Sequence, residues 1–177
     1  MQKRRQLSAT ELKASSNMIN ENFQSFFTEQ VKAVHVYLPI ESKDEVDTWP
    51  LIKDLWAKEK RVAVPVVDAN KQKIISCELT STTRVLENYW KVPEPVVRKK
   101  FDENLLDMVL IPLLAIDSMG FRVGYGKGFY DRFLKTLNDK VLKIGLSYFQ
   151  PIDRISDIDH WDIAMDYCIT PSEIIRF

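Results

Sequence analysis

Near the amino terminus the apolar residues Leu12, Met18, Ile19, Phe23, Phe26 and Phe27 recur close to helical spacing behind Ser8 and Thr10. Either hydroxyl can cap, so the pattern predicts a helix running to about Glu29. The pattern then changes to short β-branched runs. AVHVYLPI (Ala33 to Ile40) predicts a strand, ESKDEVDT a polar turn, and Thr48 a cap for a helix from about Pro50 to Lys58. Pro50 sits near the first turn, where its missing N–H does no harm. Arg61 to Val67 and Lys71 to Leu79 predict two further strands, with a polar turn at Asp68 to Asn70. Thr82 to Asn88 fits neither period clearly. Pro93 and Pro95 predict an extended crossing segment. Leu105 to Asp117 is the most apolar stretch and predicts a central strand as far as Ile111, broken by Pro112. A helix over about Phe129 to Leu137 and strands over Val141 to Phe149 and Asp166 to Thr170 complete the chain. Strands alternating with helices predict a single α/β domain over residues 1–177, a three-layer α/β/α arrangement with a mostly parallel sheet covered on both faces.

Composition narrows the function classes. The 177 residues are 45% hydrophobic and 28% charged, as in an ordinary globular domain. Lys+Arg and Asp+Glu both number 25, so no charge bias favours nucleic acid or an anionic membrane. Small molecules are the expected partners of a monomer or small homo-oligomer. Cys77 and Cys168 match no metal-binding spacing and each lies in an apolar run, which predicts buried free thiols and a reducing compartment. MQKRRQLSATELK lacks the apolar core of a signal peptide. No apolar run approaches the roughly 20 residues of a membrane helix, so the protein is expected in the cytoplasm.

The candidate chemistry lies in RVGYGKGFYD, Arg122 to Asp131. Gly124, Gly126 and Gly128 precede an amphipathic helix. Glycine lets backbone N–H groups turn toward a ligand, and the helix start adds free donors and positive potential. Arg122 and Lys127 add two cations suited to phosphate. The run is neither a Walker A loop nor a dinucleotide fingerprint, and glycine spacing alone fits a tight turn as well as a phosphate cradle. Asp131 in the first helical turn suits either the helix dipole or a Mg²⁺ ion beside phosphates.

The longer run IPLLAIDSMGFRVGYGKGFYDRFL resembles the signature of the 5-formyltetrahydrofolate cyclo-ligase family. Pro112, Asp117, Gly120, Arg122, Gly124, Gly126, Gly128, Tyr130 and Asp131 all fall in place. EVDTWPLI, KRVAVPVV, NYWKVPEP and DIDHWDIAMDYCIT are similar to further family segments, so the likeness extends over nearly the whole chain. The resemblance implies a fold like that of the ribose-phosphate isomerase and CoA-transferase group. It also implies ATP-dependent closure of 5-formyltetrahydrofolate to 5,10-methenyltetrahydrofolate with Mg²⁺. It assigns Arg122, Val123, Gly124, Tyr125, Gly126, Lys127, Gly128, Phe129 and Tyr130 to ATP, with Gly126 to Tyr130 also touching the formyl end of the folate. Arg122, Lys127 and Tyr130 are the implied catalytic residues, Asp131 and Asp162 the implied Mg²⁺ ligands. Glu45 is assigned to the pterin N–H groups and Trp90 to stacking on a folate ring.

Two departures stand out. The family's first basic segment is expected to be absent, through truncation or because Lys3, Arg4 and Arg5 stand in for it at the ATP. Tyr125 occupies a loop position where some relatives carry a basic residue. The alternatives are a non-catalytic folate- or nucleotide-binding relative of the same fold, and an isomerase or CoA-transferase-like protein, which would need a carboxylate base or nucleophile.

Overall fold

The computed structural model describes residues 4–68 and 72–177. Ser8 starts the first helix. Its hydroxyl accepts the Glu11 N–H at 3.3 Å, and the Glu11 carboxylate accepts the Ser8 N–H at 2.7 Å. This reciprocal capping box satisfies two helix-end donors and selects Ser8 over Thr10. Helix α1 spans Ala9–Phe26 and stops before the expected Glu29, because Phe27 turns extended.

Strand β1 is Ala33–His35, helix α2 Trp49–Ala57, β2 Arg61–Asp68 and β3 Lys73–Leu79. A small hairpin of β4 (Val85–Glu87) and β5 (Pro93–Pro95) follows. Then come β6 (Met108–Pro112), a short ribbon of β7 (Ala115–Ile116) and β8 (Arg122–Val123), and helix α3 (Phe129–Leu134). Strands β9 (Leu142–Leu146), β10 (Tyr167–Ile169) and β11 (Ile174–Arg176) close the chain. The seven-stranded sheet has the order β11-β10-β9-β6-β1-β2-β3. Strands β10, β9, β6, β1 and β2 run parallel, and β11 and β3 join the edges antiparallel.

Side chains alternate across this sheet. Val34, Val62, Val64, Met108, Leu110, Ile144 and Leu146 face one cluster with Ile19 and Phe23 of α1 and Leu51, Ile52 and Leu55 of α2. Ala33, Ala63, Val109, Ile111 and Cys168 face the other with Phe133 and Leu134 of α3. Apart from His35 and the exposed Arg61, the runs AVHV, RVAV and MVLI are apolar because both faces are covered. Both cysteines are buried and free.

Several boundaries differ from the sequence expectation. The strand expected from Ala33 to Ile40 pairs with its neighbours only as far as His35; the remainder leaves the sheet and runs toward the candidate site. Thr48 stands at the cap position of α2, yet its hydroxyl donates to the Tyr37 carbonyl at 2.7 Å while Asp47 Oδ1 accepts the Trp49 N–H. Helix α3 ends at Leu134, short of Leu137. Pro112 closes β6 within the ladder, opposite Leu146. The β11 edge strand had no counterpart among the expected elements. Lys71 and the tip of the turn before it lie outside the described residues.

His35 is fully buried in the centre of the sheet, its ring 4.8 Å from that of Phe133. Neither ring nitrogen has a hydrogen-bond partner among the described residues. Burial disfavours the charged form and lowers the imidazole pKa to about 3. The unfolded chain takes up this proton near the ordinary value of 6.5, while the folded chain refuses it down to about 3. The stability contribution is therefore complete above that ordinary value and falls with acidification, by about 1.4 kcal/mol per pH unit inside the window. Urea unfolding at neutrality and at about pH 5 measures this slope. His35→Leu is expected to flatten it and to leave stability at neutrality equal or higher, since two unpaired buried nitrogens disappear. An unchanged slope assigns the acid loss to other groups.

Candidate active site

The site lies beyond the carboxyl ends of β1 and β6. From β1 the chain crosses by α2 on one face to β2; from β6 it crosses by α3 on the other face to β9. Adjacent parallel strands whose connections diverge leave a crevice between them, the usual ligand position in open α/β sheets. The turn after β1 carries Glu45 and the connection after β6 carries the glycine loop.

Two side chains span this crevice. The Arg4 guanidinium, only 5% exposed, donates to the Leu113 carbonyl at 2.6 Å and the Lys43 carbonyl at 3.2 Å. It thereby ties the segment after β6 to the turn after β1. The Tyr125 hydroxyl donates to Glu45 Oε1 at 2.5 Å. Glu45 Oε2 accepts the Ile40 N–H at 2.8 Å. Glu45 is 8% exposed. Burial raises its pKa, opposed by the Tyr125 and Ile40 hydrogen bonds and by the charges of Arg4 and Lys43. Tyr148 supports the turn from below: its hydroxyl donates to the Glu45 carbonyl at 2.9 Å and lies 3.0 Å from Ser16 Oγ on α1.

Across the loop, Gly126 has φ of 79° and Gly128 of 59°, left-handed values that favour glycine. A Cβ added at Gly124 or Gly126 would meet no atom within 4 Å. No backbone N–H of residues 124–128 finds an acceptor among the described residues. These donors line an open cradle suited to an anion. Gly128 is the cap residue of α3, and Arg132 reaches back to the Lys127 carbonyl at 3.0 Å. Lys127 itself is exposed.

The other residues singled out in the sequence are distributed as follows. Arg122 is not free: its guanidinium binds Asp131 Oδ1 at 2.9 Å and the Ile163 carbonyl at 2.8 Å, and its side chain is 6% exposed. Asp131 Oδ1 also accepts the Ile163 N–H at 3.2 Å, and Asp162 precedes Ile163 in the chain. Asp162 Oδ2 accepts the Asp159 N–H at 2.9 Å. Among the described residues, no group of three or more His, Cys, Asp or Glu side chains could hold a metal ion alone. The Tyr130 hydroxyl is buried and has no partner among the described residues, and burial followed by the Glu45 charge raises its pKa, so it keeps its proton. Phe129 packs under the Arg132 guanidinium, 5.1 Å from it, and Val123 is 40% exposed on β8. Trp90 is 68% exposed on the β4–β5 turn, edge-on to Tyr89, away from the ring contacts of the loop. Lys3 lies outside the described residues.

Four supporting residues escaped the sequence reading. Asp117 was visible within the motif but had no role assigned; it is fully buried and accepts the N–H groups of Met119, Phe121 and Ile155. Ser16 is a polar residue interrupting the apolar stripe of α1, a signal that could have flagged it. Tyr148 and Lys43 gave none.

The ion pair predicts a separation of roles. Asp131→Ala leaves the buried Arg122 guanidinium unpaired and is expected to lower the unfolding free energy by about 3 kcal/mol in urea titration. Lys127→Ala removes an exposed side chain and is expected to leave the midpoint unchanged. Equal stability of both variants would remove the ion pair from the framework of the site.

Comparison with known proteins agrees over most of the chain. The family model described as 5-formyltetrahydrofolate cyclo-ligase matches residues 1–171. The 5-formyltetrahydrofolate cyclo-ligase of Escherichia coli K12 is 32% identical over 134 residues, 73% of this chain and 74% of that protein. The Mycoplasma pneumoniae protein of the same name is 31% identical over 173 residues, covering 96% and 92%. Among solved structures, the 5,10-methenyltetrahydrofolate synthetase of Aquifex aeolicus superimposes with a TM-score of 0.83 at 33% identity, covering 99% of this chain and 87% of that one. The Mycoplasma pneumoniae synthetase gives a TM-score of 0.77 at 30% identity, covering 96% and 93%.

Proposed function

The chain belongs to the 5-formyltetrahydrofolate cyclo-ligase family, and from that premise we propose that it is an ATP-dependent ligase closing 5-formyltetrahydrofolate to 5,10-methenyltetrahydrofolate, with release of ADP and phosphate. The observation that carries this reading is the meeting of the open glycine loop with the buried Glu45 carboxylate, 2.5 Å from the Tyr125 hydroxyl. A phosphate cradle and an acceptor for heterocyclic N–H groups adjoin, as transfer from ATP to a folate requires.

A formamide oxygen is a poor leaving group. In this mechanism it attacks the γ-phosphorus of ATP, the bond to ADP breaks, and the formyl carbon is left electrophilic. The N10 electron pair then forms the new C–N bond. The C–O bond to phosphate breaks, and the N10 proton passes to the departing phosphate or to solvent. Such steps depend on position and charge more than on covalent help from the protein. The N–H groups of residues 124–128 hold the phosphates, and Lys127 neutralises the transferring group. Arg122 works through Asp131, fixing the carboxylate and the loop segment at Ile163. The neutral Tyr130 hydroxyl donates to the formyl or phosphoryl oxygen. Glu45 accepts the pterin N–H groups, exchanging its Tyr125 partner for them. Trp90 supplies a stacking face from the hairpin, and Arg4 stabilises the crevice that the nucleotide enters.

Asp131 and Asp162 are the residues that would hold a Mg²⁺ ion. Asp131 Oδ2 makes no hydrogen bond among the described residues, and this ion needs only one or two carboxylates when phosphate oxygens complete its shell. Bound there, the ion would neutralise phosphate charge. The same reading places the enzyme in the cytoplasm as a single catalytic domain; no helix among the described residues is long and apolar enough to cross a membrane.

The test is the rise in near-ultraviolet absorbance of the methenyl product. It is expected only when protein, Mg-ATP and 5-formyltetrahydrofolate are combined. Lys127→Ala is expected to lower kcat/KM by about a hundredfold, the scale for losing one group aimed at transition-state charge. Folded wild-type protein that gives no product at saturating substrates would sink the proposal.

A further inference from the structure

Resting on that reading, we infer that Lys43 is a further ATP-positioning residue, which presents its ammonium group to the phosphates held by the glycine loop. Lys43 ends the short helical turn Glu41–Lys43. Its N–H bonds the Ile40 carbonyl at 3.0 Å, and the Asp44 N–H bonds the Glu41 carbonyl at 2.9 Å. Asp44 has φ of 50°, a left-handed value uncommon outside glycine. The backbone therefore reverses sharply between Lys43 and the buried Glu45. Arg4 grips the Lys43 carbonyl from the other side at 3.2 Å. A backbone held this firmly aims its side chain across the crevice, where the Lys43 ammonium stands 3.9 Å from the centroid of the Tyr125 ring.

That contact leaves the ammonium available. The ring attracts it through its face and occupies no acceptor geometry, so donors of the ammonium remain free for oxygen ligands. Lys43 forms no ion pair among the described residues. Both Glu45 oxygens already accept from other donors, Tyr125 and the Ile40 N–H.

Charge balance points the same way. A triphosphate brings several negative charges to the loop. The Arg122 guanidinium is spent on Asp131, and Arg4 is bound to two carbonyls and buried. Lys127 is then the remaining cation of the loop's own sequence. Lys43 arrives from the turn after β1, resting on the loop residue Tyr125, and supplies a second. Tyr125 thus serves as the perch for a cation that the loop itself lacks at this position.

Lys43→Met and Lys43→Arg test the assignment. Both are compared with the wild type by calorimetric titration with Mg-ATP, and by steady-state kinetics with ATP and 5-formyltetrahydrofolate varied in turn. Lys43→Met is expected to weaken Mg-ATP binding and raise the KM for ATP about tenfold, as for loss of one charge-assisted hydrogen bond. The effect on kcat and on the folate KM is smaller, and Lys43→Arg restores most of the ATP affinity. Unchanged Mg-ATP affinity in Lys43→Met overturns the inference. So does an equal rise in both Michaelis constants, the mark of a collapsed turn. Wild-type protein that binds Mg-ATP without forming product overturns the ligase reading alone, and calorimetry still decides on Lys43. Wild-type protein that does not bind Mg-ATP overturns both.

Discussion

The Asp117 carboxylate is the constraint on which the site depends. It is wholly buried, which is tolerable for such a group only when hydrogen bonds replace its water. Three backbone N–H groups do so: Met119 and Phe121 on one oxygen, Ile155 on the other. The first two fold the chain back on itself between β7 and β8. The third fastens that reversal to the segment beyond β9. Gly120 at the apex has φ of 83°, and a Cβ there would lie 2.8 Å from the Met165 carbonyl and 2.9 Å from the Phe177 ring. The turn is therefore closed on both sides. Its consequence is directional: β8 emerges at a fixed angle, Arg122 enters the protein toward Asp131, and the residues after Val123 are delivered to the crevice between β1 and β6.

The crevice is fixed independently from its other side. Tyr148 after β9 and Ser16 on α1 support the backbone of the Glu45 turn, and Arg4 bridges the two connections above the strand ends. These partners come from distant parts of the chain. They meet because β1 and β6 are neighbours whose connections leave on opposite faces of the sheet. Topology makes the cleft, and buried polar contacts keep its walls in register. The Glu45 carboxylate needs such support, since burial raises its pKa and only oriented donors and nearby cations favour the charged form.

Much of the fold was legible because period and burial agree. A run such as RVAVPVV reads as a buried strand, and the structure buries Val62, Val64 and Val66 in one cluster and Ala63 in the cluster on the opposite face. A capping hydroxyl at Ser8 or Thr10 and the buried thiols of Cys77 and Cys168 were legible for the same reason: each signal is local. Strand β11 carried too short an apolar run to read, and the length of β1 depends on where its neighbours stop pairing. In the site, the glycine loop announced itself by composition. The engagement of Arg122 with Asp131 did not, because a cation beside a phosphate loop and a cation in an ion pair have the same sequence. Lys43, Tyr125 and Glu45 lie on two separate loops, and only the neighbouring ends of β1 and β6 bring them together.

The division between held and open parts has a physical reason. Phosphoryl transfer gains most from donors already pointing at the charge that develops, since reorienting them during reaction would add to the barrier. Donors kept free of protein acceptors must still avoid burial, because an unsatisfied buried N–H is strongly unfavourable. An open loop with glycines at 124, 126 and 128 meets both conditions: its N–H groups have no acceptor among the described residues, and the space beside Gly124 and Gly126 is open. Openness by itself would leave the loop free to wander. Its two ends are therefore secured, at the Asp117 turn before Arg122 and at the Asp131 ion pair after Tyr130, while Tyr125 touches Glu45 across the crevice. The open element is confined between anchored ends, so its donors are held in place for a ligand over a few residues rather than a long segment.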